Sequence, residues 1–418
     1  MNKFFVLITA VFILSVISCG ESNEQNKDLS AIDILGNPNY QAMSFGGFRE
    51  NTRESVPSVS DLMEDLRILE AMNIKVLRTY NTQQFAHAEN LLKAIRSIKE
   101  ENSEFEMYVM LGAWIDAKGA WTDQTVIHNE ESLENNTVEI EAAVRLANEY
   151  PDIVKIISVG NEAMVQWATS YFVTPDIILK WVNYLQDLKK EGSLNPNVWI
   201  TSSDNFASWG GGEANYHTKE LTALYNAVDY VSIHTYPFHD SHYNSDYWVV
   251  PEDEESLKNM EQVDLAMIRA KEYAISQYQS VKDYMKSLGV DKPIHIGETG
   301  WASLTNSLYG DEGSKAADEY KQKLFYDQMR EWTNSEGISL FYFEAFDEQW
   351  KDQLNPLGSE NHFGLLNLNG EAKYVLWDLV DQGIFEGLTR NGKTISKTYN
   401  GNEDAMFKDV FTPPLGNN

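Results

Sequence analysis

The sequence predicts a single (β/α)8 barrel of the α/β class (a TIM barrel), and two observations support this prediction. From residue 40 onward, short apolar segments of strand length alternate with amphipathic segments of helix length. Residues 36–385 contain no linker, repeat or shift in composition that would divide the chain. Eight strands, each followed by a helix or by a gap long enough for one, are the pattern of a parallel barrel. We therefore expect one domain whose functional face lies at the carboxyl ends of the strands.

The predicted strands are short runs of apolar and β-branched residues, as expected for strands that are buried on both faces of a parallel sheet. In chain order they cover residues 41–45, 74–80, 106–112, 154–162, 198–202, 230–234, 293–297 and 338–343. Strands of this kind place their side chains in the core and leave the loops to carry function.

The helices are indicated by hydrophobic spacing and by capping residues. One begins at Val59, because Leu62, Leu66 and Leu69 recur at helical spacing. Another begins at Pro175, where a threonine precedes the proline, since proline is favoured at the first helical position. Further helices are predicted over residues 85–99, 138–149, 263–288 and 374–380.

The longest gap between strands separates the sixth from the seventh. It holds a tyrosine- and acid-rich loop at residues 242–255. Long loops on the carboxyl face of a barrel commonly shape substrate clefts. The polar tail beyond Gly383 is expected either to wrap the barrel or to fray.

The composition and net charge of the chain narrow the class of ligand that it is expected to bind. The chain has 418 residues, a formal net charge of −30 and an apolar fraction of 43%, which is ordinary for a globular protein. An acidic surface repels nucleic acid, anionic membranes and acidic polymers, so a neutral substrate is the better fit. We expect a monomer that binds no nucleic acid.

The N-terminus has the features of an export signal. Lys3 supplies a positive charge, and residues 4–17 form an apolar stretch too short for a stable membrane span. The stretch ends before Cys19, the single cysteine of the chain, so a disulfide framework is excluded. This pattern resembles a bacterial lipoprotein signal, in which the cysteine is acylated; the alternative is an ordinary secretory peptide with an incidental cysteine.

The expected organisation follows from that signal. Residues 1–18 would be the signal peptide, residues 19–35 a flexible polar tether, and residues 36–418 the barrel with its C-terminal tail. The mature chain would then be held on the cell envelope, at the outer membrane or cell surface, by a lipid on Cys19.

Two strand ends share a pattern in which an apolar strand is followed by glycine and then glutamate. The fourth predicted strand ends in Gly160, Asn161 and Glu162, and the seventh runs into Gly297 and Glu298. Either glutamate alone could simply serve at a helix start. Both, however, would lie on one rim of the barrel. Two carboxylates across a barrel mouth suit glycoside hydrolysis, in which one protonates the leaving oxygen and the other attacks the anomeric carbon or activates water.

Aromatic residues cluster just after the same strand ends, where they could pack against the apolar faces of sugar rings. The set is Trp114, Trp121, Trp167, Trp209, Tyr236, Trp301 and Trp350. Any one of them could serve only in ordinary packing. Their number at one predicted rim favours a carbohydrate site.

Five short motifs follow the strand ends in order along the chain. They are RTY at 78–80, VGNE at 159–162, HTYP at 234–237, GETGW at 297–301 and FEAFDEQWK at 343–351. Over residues 40–375 this set resembles glycoside hydrolase family 17. The resemblance implies a retaining barrel enzyme that acts on β-1,3-glucan, mostly as an endo-hydrolase of laminarin or callose and in some members as a glucan transferase.

The resemblance also implies roles for individual residues. Glu162 would be the acid/base and Glu298 the nucleophile. Asn161 would bind the sugar 2-hydroxyl, an interaction that strengthens toward the transition state. Arg78 and Tyr236 would lie beside Glu298 and hold it ionised.

Four further residues match supporting positions of the family. Glu348 and Lys351 correspond to the acid and the lysine that follow the eighth strand. Trp301 would form a platform near the cleavage point, and Tyr80 belongs to the first motif. Simpler roles stay open, since Arg78 could pair with any acid of the barrel and Glu344 or Glu348 could be purely structural.

No cofactor or metal is expected. His234, His239 and His242 could suggest a metal site, but no carboxylate pattern accompanies them and the family needs no metal. The chain also lacks a glycine-rich phosphate loop and a dinucleotide fingerprint.

The sequence therefore predicts endo-hydrolysis of a neutral, laminarin-like β-1,3-glucan through a glycosyl-enzyme intermediate. Two other functions stay open. One is a β-1,3-glucanosyltransferase that uses the same site. The other is a non-catalytic glucan-binding surface lipoprotein, against which the presence of both glutamates argues. The long gap between the sixth and seventh strands leaves the choice between endo and exo action open.

Overall fold

Eight parallel strands close into a barrel in the computed structural model, which describes residues 29–416. The barrel strands, labelled β1–β8 in chain order, are Gln41–Ser44, Ile74–Arg78, Tyr108–Ala113, Val154–Asn161, Trp199–Asn205, Val231–His234, Ile294–Gly300 and Leu340–Phe343. Each strand pairs with its neighbours in the sequence, and β8 closes the barrel on β1. The predicted fold class is confirmed.

The α-helices of the described residues mostly alternate with these strands. Labelled α1–α11, they are Ala31–Ile34, Val59–Ala71, His87–Glu101, Leu133–Glu149, Pro175–Glu191, Lys219–Ala227, Pro237–Tyr243, Asn259–Ser287, Glu319–Glu336, Trp377–Asp381 and Glu403–Lys408. Between β3 and α4 the chain forms an antiparallel pair of short strands, Ala117–Lys118 and Ile127–Glu131. We call residues 117–131 the β3 hairpin.

The main core lies between the sheet and the surrounding helices. Helix α3, for example, buries Leu91, Leu92, Ile95 and Ile98 at helical spacing. Each such side chain contributes about 1.5–3 kcal/mol when it is fully removed from water. These contacts fix the helices around the strands and hold the strand ends in register.

Helix α1 closes the bottom of the barrel, at the amino ends of the strands. Ala31 and Ile34 are fully buried among residues such as Val76, Ile156 and Phe341. The prediction of a flexible tether was therefore wrong for residues 31–35, because two apolar side chains three positions apart form the buried face of a short helix. Cys19, the predicted signal peptide and the first part of the tether lie outside the described residues.

The long segment between β6 and β7 supports the loop that follows β7. Trp248 is fully buried, and its indole nitrogen donates to the carbonyl oxygen of Ser314 at 2.6 Å. The tail wraps the barrel: Arg390 is buried against Asp65 of α2 at 3.0 Å, and the backbone nitrogen of Val250 donates to Pro414 at 2.8 Å. Within residues 29–416, no helix combines the length and the apolar character that a membrane span needs.

Candidate active site

Glu298 lies inside β7, not just beyond its end, because the strand continues to Gly300. Its carboxylate is 10% exposed and accepts hydrogen bonds from three side chains. The Tyr236 hydroxyl donates to Oε1 at 2.6 Å, the Tyr80 hydroxyl donates to Oε2 at 2.8 Å, and the Arg78 guanidinium also donates to Oε2. The structure thus brings together four residues that the motifs selected.

These donors set the charge of the site. Burial favours the protonated form of Glu298, but the nearby His234 and Arg78 and the two phenols outweigh it and lower the pKa of this carboxyl well below its ordinary value. Burial, and next the charge of Glu298, raise the pKa of both Tyr80 and Tyr236 well above 10. The carboxylate is therefore ionised at neutral pH, and both phenols remain hydrogen-bond donors.

Glu162 directly follows β4 and has an unusual backbone conformation. Its φ is 45°, in the left-handed region, and Gly160 two positions earlier has a φ of 80°. Such a conformation costs a non-glycine residue about 1–2 kcal/mol and is found at functional sites. It is held by the backbone nitrogen of Glu162, which donates to Ser203 at 3.0 Å. The next helix begins only at Pro175, so Glu162 does not serve at a helix start.

His234, the last residue of β6, connects the two glutamates. It is fully buried, its Nδ1 lies 3.0 Å from Oε1 of Glu162, and its Nε2 lies 2.8 Å from the Ser203 hydroxyl. It is also paired in register with Glu298 on the neighbouring strand. Sequence reasoning considered His234 only as a metal ligand. The signal that could have identified its contact was its place at a strand end on the same rim.

Asn161 is oriented by the residue that also holds Glu298. The Arg78 guanidinium donates to Oδ1 of Asn161 at 2.5 Å through Nη2, while its Nη1 contacts Glu298 and the carbonyl oxygen of Gly297. Because the amide oxygen accepts this bond, the amide N–H groups point away from the guanidinium. Asn161 is thus prepared to donate to an acceptor on a substrate.

Glu348 and Lys351 lie next to each other in the loop that follows β8. Lys351 contacts Glu348 at 3.3 Å and also donates to Glu344, whose pKa is raised well above its ordinary value by burial. Glu348 accepts from the Phe48 backbone nitrogen at 3.1 Å and from the Trp350 indole at 2.8 Å. These contacts join the loops that follow β1 and β8.

The predicted platform at Trp301 is wrong. Trp301 is fully buried, packs against Phe325 of α9, and donates its indole N–H to Ala316 at 2.7 Å. The reason is packing, since the rings of Phe238, Trp248 and Phe325 cover the indole of Trp301. Trp209 is likewise fully buried.

Other aromatic residues of the predicted set do reach solvent. Trp121 and Trp167 are 62% and 63% exposed, and Trp114 and Trp350 are partly exposed. Among residues 29–416, no three His, Cys, Asp or Glu side chains are grouped so as to hold a metal ion.

Comparison with known proteins places this geometry in a family. The model of the BtgE/BtgC glycoside hydrolase domain matches residues 42–364, which is most of the chain. The chain belongs to glycoside hydrolase family 17. The family resemblance inferred from the motifs is confirmed.

Relatives of this family 17 member include a glucan 1,3-beta-glucosidase of Arthroderma benhamiae, 25% identical over 75% of this chain and 83% of that protein. Among solved structures, an endo-laminarinase from Formosa Hel1_33_131 is 61% identical, with a TM-score of 0.92, over 93% of this chain and 99% of that chain. A beta-1,3-glucanosyltransferase of Rhizomucor miehei, in complex with laminaritriose, is 19% identical, with a TM-score of 0.53, over 79% of this chain and 93% of that chain, and shares the fold.

Proposed function

We propose that this family 17 glycoside hydrolase cleaves a laminarin-like β-1,3-glucan by endo-hydrolysis, with retention of configuration at the anomeric carbon. The observation that carries the proposal is the pair of glutamates with opposite surroundings on one rim. Glu298 is held ionised by a guanidinium and two phenols, while Glu162 contacts a single histidine. The similarity to an endo-laminarinase at 61% identity supports the substrate class.

The first step forms a covalent intermediate. A carboxylate oxygen of Glu298 attacks the anomeric carbon while Glu162 transfers its proton to the glycosidic oxygen. The bond between carbon and oxygen breaks, the leaving chain departs as an alcohol, and Glu162 becomes a carboxylate. His234 holds Oε1 of Glu162 during this transfer.

The second step releases the product. Glu162, now ionised, removes a proton from water, and the resulting oxygen attacks the same anomeric carbon. Glu298 leaves as a carboxylate, and its three donors stabilise the returning charge. Two inversions at one carbon give net retention. Asn161 would donate to the 2-hydroxyl oxygen of the sugar, a contact that strengthens as the oxocarbenium-like transition state forms.

Digestion of laminarin with product sizing tests this function. Release of oligomers of intermediate length from the start supports endo action, whereas release of glucose alone contradicts it. Products longer than the starting oligomers would instead indicate glucanosyltransfer on the same residues. Tight binding without release of reducing ends would indicate a binding protein. The configuration of the first product, followed by NMR, tests retention, and an inverted product would refute it.

We also propose that the enzyme is exported and anchored to the cell envelope through an acylated Cys19, and that it is a monomer. The basis for the anchor is the N-terminal sequence, in which Lys3 and an apolar stretch precede that cysteine. Metabolic labelling with a fatty acid, compared between the wild type and Cys19→Ser, tests the anchor, and equal labelling would refute it. Light scattering of the purified chain tests the oligomeric state.

A further inference from the structure

Trp121 on the β3 hairpin exposes most of its side chain to solvent. It is 62% exposed, whereas Trp209 and Trp301 bury both faces of their rings. Its backbone is also in the left-handed region, with a φ of 60°. An unfavourable backbone that displays a large apolar ring to water suggests a ligand-binding role.

The orientation of this ring is fixed by a buried carboxylate. The indole nitrogens of Trp121 and Trp114 donate to the same Oδ1 of Asp116, at 2.9 and 2.6 Å. The backbone of Asp116 is in turn held by the Asn136 side chain on both its nitrogen and its oxygen, at 2.9 and 3.1 Å. Trp121 is therefore a positioned side chain and not a free one.

Tyr171 connects this tryptophan to the loop that begins at Glu162. The rings of Trp121 and Tyr171 are stacked, with centroids 5.2 Å apart and planes inclined by 20°. Tyr171 belongs to the segment between Glu162 and α5, and its ring centroid also lies 5.3 Å from that of Trp114, the residue that directly follows β3. Trp121 therefore packs on side chains at the carboxyl ends of β3 and β4, the rim that also carries Glu162.

The hairpin that carries Trp121 is braced against the barrel. Glu131 accepts from the Trp181 indole at 2.6 Å and pairs with Lys180. The ring of His128 stacks on Phe172 with centroids 3.6 Å apart, and its Nδ1 lies 2.7 Å from the carbonyl oxygen of Phe172. These contacts keep the hairpin, and with it Trp121, at a fixed place relative to the loop that begins at Glu162.

We propose that Trp121 is a platform for one glucosyl ring of a bound β-1,3-glucan, at a position in the cleft away from the cleavage point. This inference rests on the proposed function. One face of the indole lies on Tyr171, and the remaining exposed surface is free to receive the C–H face of a sugar. A neutral polysaccharide suits the site, because the nearby carboxylates would repel an anionic ligand.

The test compares substrates of different length. We expect Trp121→Ala to lower the ratio of kcat/KM on long linear laminari-oligosaccharides to kcat/KM on the shortest cleaved one by about tenfold, mainly through KM on the long chains. Trp121→Phe, which keeps an aromatic face, should restore part of the ratio. The matched control is Tyr184→Ala on the outer helix α5, which removes another exposed aromatic ring, 41% exposed, and should leave the ratio as in the wild type.

Binding gives a readout that does not depend on catalysis. Calorimetry of laminarihexaose with Glu298→Gln and with the double variant Glu298→Gln/Trp121→Ala should show about tenfold weaker binding in the second. Equal affinities, or a ratio of kcat/KM that does not change with chain length, would overturn the platform. Failure of the wild type to cleave any β-1,3-glucan would instead refute the proposed function, and the binding comparison would still decide the role of Trp121.

Discussion

Glu298 and Glu162 lie near the carboxyl ends of two strands of the barrel but have opposite surroundings. Glu298 lies within its strand and accepts hydrogen bonds from one guanidinium and two phenols. Glu162 lies one residue past its strand, in a left-handed conformation, and its side chain contacts one histidine. The different neighbours suit the separate roles proposed for the two carboxylates, because a guanidinium and two phenols hold Glu298 ionised.

The largest expected effects come from removing either carboxylate. Glu162→Gln should lower kcat on laminarin by about 10²–10⁴-fold, the range found for a lost proton-transfer group. Glu298→Gln removes the nucleophile, so its loss of kcat should be at least as large. They should differ on an aryl β-glucoside with a good leaving group, which needs no acid. There Glu162→Gln should recover much of the glycosylation rate, and Glu298→Gln should not. Equal recovery in the two variants would contradict the separate roles.

Substitution of Tyr80 or Tyr236 changes the hydrogen bonds of Glu298 and leaves those of Glu162 intact. Tyr236→Phe removes a donor to the carboxylate of Glu298, so the pKa of that carboxyl should rise. Only the ionised form of Glu298 can attack the anomeric carbon. On acidification the variant should therefore lose activity at a higher pH than the wild type does. The acidic limb of kcat/KM should move up by about half to one pH unit, as expected for one hydrogen bond of about 1 kcal/mol.

The alkaline limb of the kcat/KM profile is the internal control for Tyr236→Phe and should stay in place, since this phenol donates to Glu298 and not to Glu162. Tyr80→Phe removes the donor to the other oxygen of Glu298 and should shift the same limb in the same direction. A pH profile that keeps the wild-type shape with either variant would mean that the phenols do not hold the nucleophile ionised.

Substitution of His234 changes the surroundings of Glu162, which it contacts, and also removes a charge that lowers the pKa of Glu298. His234→Ala should lower kcat on laminarin by about fivefold, because loss of one hydrogen bond of about 1 kcal/mol leaves Glu162 less well positioned. The loss should be smaller on the aryl glucoside, where proton transfer is not limiting. His234→Asn, which keeps a side-chain donor near Glu162, should restore part of the rate on laminarin. An equal loss on both substrates would point to general damage to the barrel.

The smallest expected effects concern the glycines before the two glutamates. Gly160→Ala forces alanine to a φ of 80° and brings its Cβ to 2.9 Å from that of Ala163, so it should destabilise the fold by at least about 1–2 kcal/mol, read as a Tm lower by about 1–3 °C. Gly297 instead keeps space, since a Cβ there would lie 2.1 Å from the Ser232 hydroxyl and 2.2 Å from that of Ser203. Gly297→Ala should therefore also disturb the contact between Ser203 and His234, and lower kcat more than Gly160→Ala does.

The sequence predicted what depends on local pattern. The barrel, the glutamates and the donors around Glu298 were all marked by apolar strands that end in polar motifs. The contact of His234 with Glu162 was not predicted, because this histidine was considered only as a possible metal ligand although it ends a strand on the same rim. Trp301 was misplaced because the rings that cover it belong to other segments of the chain.

Two further elements were missed for related reasons. The β3 hairpin has short strands with polar, exposed residues, so no apolar alternation marks it. Helix α1 has only four residues, and its amphipathic face becomes visible only when the barrel bottom is there to receive it. Elements whose stability comes from tertiary packing are not apparent from local propensity.

The burial of α1 also determines how the enzyme would be oriented if it were attached to a surface through its amino end. Since α1 closes the bottom of the barrel, the chain enters from the side opposite the catalytic rim. An enzyme immobilised through residues before Ala31, whether on a lipid layer or on a synthetic bead, would turn its cleft toward the surrounding liquid. Long polymers could then approach without steric hindrance from the support, and attachment at the amino end should preserve activity on whole polysaccharide better than attachment at random surface lysines.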